Sequence, residues 1–452
     1  MALILSKNFI VRKNIDGTNI LYDKSSNMRY HVTDKLFTFL YLFKQNAIDL
    51  NDLLSHFKSI DIKVEDILDF LSRPDMKNLL VSSSMSDRTN MLIQSSIAYS
   101  SIQKKSEFTE YTPERVDFLI TKKCNLRCKH CFENASPLEN VEFFNLEVLR
   151  TIFQQLDDAN VKTVKITGGE PFFHPQFQSI LELTANARFE TIILTNGMLL
   201  TENIMRLVKA SNIKLGISLD GITSKTHDFL RGTGSFQILY KKLQRLGKLG
   251  VDLTLTFTAN KINEHELEEL SAIAFNDLGV RCLFVNRLRP IGRAICNTEM
   301  FIPDNEYVSI QERVDRLSMI YGKNRIALSD DSLPMATINA EPLSATTPLV
   351  CAAGNTLLCM DQFLNVYPCI YGQGNNDYII GNLYNNSLIE IWQSEKWLPF
   401  RGKTTLSQIR GCDSCPKQNT CGIKNCRLKP VYNGLGFFDH VDYCNGHLNT
   451  SM

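Results

Sequence analysis

The first 123 residues of this 452-residue chain contain no cysteine, although the whole chain holds thirteen. An excess of charge is lacking too: 49 Lys and Arg are balanced by 48 Asp and Glu, a net +1. That balance provides no basic footprint for nucleic acid or for an anionic membrane surface. No apolar run approaches the length of about 20 residues that spans a bilayer. The opening residues Met1 to Asn8 are too few and too polar-flanked for a signal peptide. No repeat of the solenoid type is visible. What is left is the expectation of a cytoplasmic protein with neither nucleic acid nor membrane as partner. Its 44% hydrophobic and 21% charged residues are those of a soluble globular chain, and its length is that of two or three domains.

The cysteines that are present are bunched. Cys124, Cys128 and Cys131 form one group, Cys282 and Cys296 stand apart, and the other eight lie between Cys351 and Cys444. Disulfides are rare in a reducing compartment, where clustered cysteines bind metal or carry out redox chemistry.

Residues 1–95 read as one unit. Phe9–Arg12 and Asn19–Tyr22 pattern as two strands joined at Asp16-Gly17, a hairpin signal, with a short third strand at Tyr30–Val32. Helical spacing follows over Asp34–Phe43, Leu50–Phe57 and Val64–Leu71. A Ser-rich stretch from Ser82 leads into a linker over 96–112. Residues 113–345 then alternate strand and helix. Strands are expected at Val116–Ile120, Val164–Thr167, Thr191–Thr195, Lys214–Leu219, Asp252–Thr258 and Arg281–Asn286, with helices such as Leu146–Leu156, Phe177–Ala187, Glu202–Ala210, Phe236–Leu249 and Glu264–Phe275 between them. Six such units in series make an α/β fold, a parallel sheet curled as a partial (β/α)6, TIM-like barrel whose chemistry sits after the C-terminal ends of the strands. Residues 346–452 are Cys-rich and loop-rich, with one helix around Leu388–Trp392.

The run Cys124-Asn-Leu-Arg-Cys128-Lys-His-Cys131 follows the first of those strands. Three thiolates at this spacing can ligate three irons of a [4Fe–4S] cubane, and the fourth iron stays open to a cofactor or substrate. An open position marks a catalytic metal site; a zinc knuckle or buried free thiols are the alternatives. After the second strand comes Thr167-Gly168-Gly169-Glu170-Pro171, after the third Thr195-Asn196-Gly197, and the fourth carries Ile217-Ser218-Leu219-Asp220-Gly221, followed by His227-Asp-Phe-Leu-Arg231. Glycines allow close backbone approach to an amino-acid-like ligand, and a carboxylate can receive its ammonium.

With these motifs the chain resembles the radical S-adenosylmethionine (radical SAM) superfamily. The resemblance implies that Cys124, Cys128 and Cys131 are catalytic cluster ligands. It puts Gly168, Gly169 and Glu170 at the methionyl amino group of S-adenosylmethionine, and Asn196 among its contacts. Ser218 would lie near the ribose and Arg231 at the carboxylate, where a guanidinium pairs bidentately. His130 and Phe132 read as shields of the cluster.

The later cysteines resemble the SPASM domain, which holds two auxiliary [4Fe–4S] clusters. On that pattern Cys412, Cys415, Cys421 and Cys444 hold one, and Cys351, Cys369 and Cys426 the other, with Cys359 as fourth ligand; three clusters result in all. The chain departs from the pattern in the x4 spacing between Cys421 and Cys426 and in Leu364-Asn365, where glycine is usual and Asn is expected to supply the turn. Cys282 reads as core; Cys296 is undecided.

Strands followed by helices at the N-terminus resemble a PqqD-like, winged-helix recognition element that grips the leader of a ribosomal precursor peptide by strand addition. Together the resemblances imply a peptide maturase of the sactisynthase kind, making thioethers between cysteine sulfur and an α-carbon. A flavodoxin or ferredoxin would serve as reductase. A carbon–carbon crosslinking maturase, a sulfatase-maturating enzyme and a non-catalytic peptide-binding or electron-transfer scaffold stand as alternatives.

Overall fold

The computed structural model describes residues 2–13, 18–24, 28–45, 48–49, 70, 72–76, 79–82, 112–139, 143–328, 348–412, 426–432 and 434–439. They fall into two compact units, one of residues 1–114 with 156–162 and 186–190, the other of the remainder.

In the first unit, β1 (Ala2–Leu5) pairs antiparallel with both β5 (Ile48–Asp49) and β6 (Leu80–Ser82). β2 (Phe9–Lys13), β3 (Asn19–Asp23) and β4 (Met28–Val32) form a separate antiparallel meander with β3 central. Helix α1 (Asp34–Gln45) lays Phe39, Leu40 and Phe43 into a core with Leu5, Phe9, Val11, Leu21, Met76 and Leu79. The Asp16-Gly17 turn lies outside the described residues, as do the helix expected at Leu50–Phe57 and nearly all of that at Val64–Leu71. The expected 96–112 linker is described only at Thr112. A half-buried polar seam ties in the two inserted segments. Lys44 Nζ donates to the Asp157 carbonyl at 2.7 Å, Arg188 N–H to Asp157 Oδ1 at 2.7 Å and Arg188 Nη1 to the Leu5 carbonyl at 3.0 Å. Segments 156–162 and 186–190 of the β/α region belong to this first compact unit.

The second unit is built on parallel strands β7 (Arg115–Thr121), β8 (Thr163–Gly168), β9 (Glu190–Thr195), β10 (Lys214–Ser218), β11 (Leu253–Ala259) and β12 (Cys282–Arg287), neighbours in that order. Helical crossovers between parallel strands bring every strand's C-terminal end to one edge. The crossovers include α2 (Leu146–Asp158), α3 (Phe177–Ala185), α4 (Glu202–Ala210), α5 (Ser224–Arg231) and α6 (Ser235–Leu249). Thr201 and Thr223 cap α4 and α5 by accepting backbone N–H bonds three residues on. The helix expected at Glu264–Phe275 resolves into a 3-10 turn, the short α7 (Leu267–Ala272) and a π turn at Ile273–Asp277.

Two additions extend the sheet. After α8 (Asp304–Tyr321), β13 (Ile326–Leu328) pairs parallel with β12. At the opposite side, after β14 (Pro348–Val350), β15 (Leu357–Met360) pairs parallel with β7, and β16 (Asn365–Tyr367) and β17 (Gly381–Asn382) follow antiparallel. The Cys-rich region thus shares one ten-stranded sheet with the β/α region. Short α9 (Leu388–Trp392) carries a capping box of Ser387 and Glu390. The β15–β16 turn corrects one expectation. Leu364, not Asn365, takes the left-handed conformation at φ 62°. Asp361 Oδ1 accepts from both Phe363 N–H and Asn365 N–H, and the Leu364 side chain is buried. Among the described residues no helix is long and apolar enough to cross a membrane.

Candidate functional site

The loop after β7 carries Cys124 and Cys128, both buried, and half-buried Cys131, all as free thiols. Leu126 N–H donates to Cys124 Sγ at 3.4 Å and Asn196 Nδ2 at 3.7 Å. Arg231 Nη1 stands 4.0 Å from Cys128 Sγ. Donors aimed at sulfur favour its anionic form. Burial nevertheless pushes the Cys124 thiol up to about 12 and that of Cys128 up as well, with each neighbouring cysteine adding to the shift. Such thiols ionise when a metal supplies the positive charge.

The two glycines of the second motif approach the chain's own backbone. Gly168 has φ 131°, and a Cβ there would stand 2.2 Å from the Thr121 carbonyl oxygen; at Gly169 it would stand 2.3 Å from that of Lys123. Gly169 N–H donates to the Thr121 carbonyl at 2.7 Å and Glu170 N–H to that of Lys123 at 2.9 Å. The motif is therefore laced to the residues leading into Cys124. The Glu170 carboxylate is fully buried. It accepts from Thr195 Oγ1 at 2.7 Å, Asn196 N–H at 2.8 Å and Phe172 N–H at 3.2 Å. Burial pushes its pKa up to about 7 against those donors. The expected ammonium partner is thus a carboxylate already bonded to the Thr195–Gly197 turn. Asn196 Nδ2 reaches the cysteine loop at Asn125 Oδ1, 2.9 Å away. Ser218, half-buried, accepts from Thr256 Oγ1 at 3.2 Å.

Asp220, fully buried, joins more elements than any residue singled out from the sequence. Its carboxylate accepts Arg231 Nε at 2.5 Å, His130 Nε2 at 3.0 Å and Thr258 N–H at 2.7 Å. Its own N–H donates to His227 Nδ1 at 3.2 Å, and Asn263 Nδ2 donates to its carbonyl at 3.1 Å. Burial opposes its charge, yet the Arg231 guanidinium and His130 hold it well below the usual carboxylate range. His130 is accordingly a tether of the cysteine loop to the fourth strand's end, not only a shield. Phe132 meets Tyr371 edge-on at 5.8 Å, and Lys122 N–H donates to Gln362 Oε1 at 2.7 Å. Asp220 sits inside the Ile217–Gly221 motif; the signal that could have marked it is a lone acid at the exit of an apolar strand.

Of the later cysteines, Cys369 is pushed well up by burial first, with Cys426 and Cys351 adding to the shift. Cys359 is fully buried on β15; burial raises it first, then Asp117, Glu133 and Cys369. Cys412 is described, whereas Cys415, Cys421 and Cys444 lie outside the described residues. Cys282 is buried in β12, and Cys296 is exposed.

Soft thiols on an irregular loop, with amide and guanidinium donors directed at sulfur, suit an iron–sulfur cluster. Among the described residues no three His, Cys, Asp or Glu side chains are drawn together as tightly as a bound metal holds them. The fit therefore rests on the donor set and on the packing that orients it.

Comparison with known proteins agrees. Residues 118–272 match the radical SAM superfamily, and residues 351–416 match SPASM, an iron–sulfur cluster-binding domain. The antilisterial bacteriocin subtilosin biosynthesis protein AlbA of Bacillus subtilis is 28% identical over 70% of this chain and 68% of its own length. The mycofactocin maturase MftC of Mycobacterium tuberculosis is 26% identical over 70% of this chain and 78% of its own. Crystal structures of Streptococcus suis SuiB superpose with TM-score 0.70 at 17–18% identity, covering 98% of this chain and 100% of that one; one is bound to S-adenosylmethionine and another to the precursor peptide SuiA. The chain is an enzyme with a radical SAM domain and an iron–sulfur SPASM domain, and S-adenosylmethionine and [4Fe–4S] clusters are its cofactors.

Proposed function

We propose that the chain is a maturase that crosslinks a ribosomally made precursor peptide, joining a cysteine sulfur to an α-carbon as a thioether. The observation carrying this reading is the shared sheet. It sets the Cys124–Cys131 loop beside the auxiliary cysteine region, through the β7–β15 pairing and the Phe132–Tyr371 contact. Support comes also from the relatives, whose names speak of bacteriocin biosynthesis and of mycofactocin maturation, and from the SuiB fold with its precursor peptide.

In this reading Cys124, Cys128 and Cys131 hold the cluster that binds S-adenosylmethionine. Bound there, the cofactor supplies a 5′-deoxyadenosyl radical for hydrogen-atom abstraction. Gly168, Gly169 and Glu170 keep the second strand's end against the cysteine loop, with the methionyl amino group beside their backbone. Asn196 and Ser218 line the same edge. Arg231, anchored by Asp220, stands beside Cys128 to receive the cofactor's carboxylate. Cys351, Cys359, Cys369 and Cys426, and Cys412 with Cys415, Cys421 and Cys444, hold the auxiliary clusters. A thioether would form with the α-C–H hydrogen atom passing to the 5′-deoxyadenosyl radical and the thiol proton to solvent, and the clusters those cysteines would hold could take up the remaining electron. In the first unit, β4 is a sheet edge among the described residues and is largely exposed, a place for an extended, PqqD-type leader contact. A flavodoxin or ferredoxin donates the reducing electron.

The test is anaerobic reconstitution with dithionite, S-adenosylmethionine and the precursor peptide encoded beside the gene. The expected result is 5′-deoxyadenosine together with a peptide that has lost two hydrogens and one free thiol per link. Loss of two hydrogens with every thiol retained would mean a carbon–carbon link instead, and no 5′-deoxyadenosine would exclude the enzyme reading.

A further inference from the structure

After β12 the chain runs through Arg289-Pro-Ile-Gly292-Arg293-Ala-Ile-Cys296, residues to which no part has yet been assigned. Gly292–Cys296 forms a 3-10 turn lying against the backbone of the cysteine loop. Gly292 has φ 58°, and a Cβ there would stand 2.2 Å from the Phe132 carbonyl oxygen and 2.4 Å from that of Cys131. Arg293 N–H donates to the Cys131 carbonyl at 2.9 Å. Its side chain spans two more carbonyls, Nη1 to Cys128 at 2.7 Å and Nη2 to Ala135 at 2.5 Å. Asn297 Nδ2 donates to the Lys129 carbonyl at 3.1 Å.

The carbonyls of Cys128, Lys129, Cys131 and Ala135 thus all end on one short segment. An irregular loop must find partners for its backbone groups. The bonds this loop makes within itself, Cys131 N–H to Cys128 at 3.3 Å and Asn134 N–H to Cys131 at 3.4 Å, are the longer ones. We propose that Gly292–Asn297 is a clamp for the cysteine loop and that Arg293 is its positioning residue, fixing the three sulfurs towards one cluster. The inference rests on the reading that this loop holds the S-adenosylmethionine-binding cluster. Arginine is needed because its rigid fork reaches two carbonyls, where a lysine reaches one. The clamp reads only backbone, so the loop's own side chains stay free for other contacts.

The test compares the full chain, anaerobically reconstituted, with R293Q, R293K and G292A. R245Q is the control, because Arg245 pairs with Glu202 on an exposed helix surface. Electron paramagnetic resonance of the reduced protein, with and without S-adenosylmethionine, separates the cofactor-responsive signal from the auxiliary signals. In R293Q and G292A the responsive signal and 5′-deoxyadenosine formation should fall about tenfold while the auxiliary signals persist. R293K should recover part of the loss, and R245Q should match the wild type. An R293Q variant within about twofold of the wild type overturns the clamp. So does an equal loss of auxiliary signal, since the segment would then support the whole chain and not this loop. A wild type with no cofactor-responsive signal overturns instead the reading of the loop itself.

Discussion

Asp220 and Arg231 are a buried ion pair whose two ends serve different elements, the fourth strand's exit and helix α5. Removing one partner of such a pair strands the other. Asp220→Asn should therefore cost about 3 kcal/mol in urea unfolding, with Arg231 left 9% exposed and uncompensated. His227 makes a second prediction, this one in pH. Burial, then Arg231, lowers its pKa to about 4, and Nδ1 accepts the Asp220 N–H, so the native imidazole is neutral. The unfolded chain takes up this proton below about pH 6.5, whereas the folded chain resists until about 4. Protons therefore favour unfolding, and stability contributed here is lost as pH falls from about 6.5 to 4, by up to about 3 kcal/mol. A His227→Gln variant keeps an acceptor and should show a flatter stability profile over that window.

The glycines of the second motif act between elements, because their missing Cβ atoms let β8's exit meet β7's. Gly169→Ala would drive a methyl into the Lys123 carbonyl. It should lower iron bound per chain at the cysteine loop about tenfold, measured as cofactor-responsive cluster signal. The six parallel strands were legible because each is a short apolar run closed by a polar or glycine signal, and the cysteine spacing was legible because ligands must sit close in sequence. Helix α8 was not. Val308, Met319 and Ile320 are exposed while Tyr307, Ile310, Val314 and Leu317 are buried, so its apolar residues do not trace one clean stripe. The β7–β15 pairing was hidden for another reason: its partners are more than two hundred residues apart, and nothing local in Leu357–Met360 says which edge it will join. Arg293 escaped notice because it reads carbonyls, which carry no residue signature. At the β15–β16 turn, Asn365 drew attention by its residue type, but the burial of Leu364 decided which residue bears the strain. Asp361→Ala should destabilise that turn by about 1–2 kcal/mol in thermal unfolding, since two N–H groups lose their acceptor.

For the whole molecule, Asp157 is the acidic member of the seam that gathers Lys44 and Arg188 in the first unit. Asp157→Ala should cost about 1–2 kcal/mol in thermal unfolding, because the Arg188 N–H loses its acceptor and two half-buried cations lose a nearby carboxylate. Lys44→Met in the same background should restore part of that loss, and a failure to do so would show that the seam's charges do not couple. The continuous sheet of the second unit carries a different consequence. Electron transfer between redox centres depends steeply on their separation. Here the strand bearing the cysteine loop and the strand bearing Cys359 are locked side by side, Asp117 opposite Cys359. Neighbouring strands keep about 4.8 Å between them, and a slip of one residue would turn every buried side chain outward. On the proposed reading, in which the cysteine loop and Cys359 hold clusters, backbone pairing acts as a ruler: hydrogen-bond register fixes the spacing of the two strands from which both sites hang.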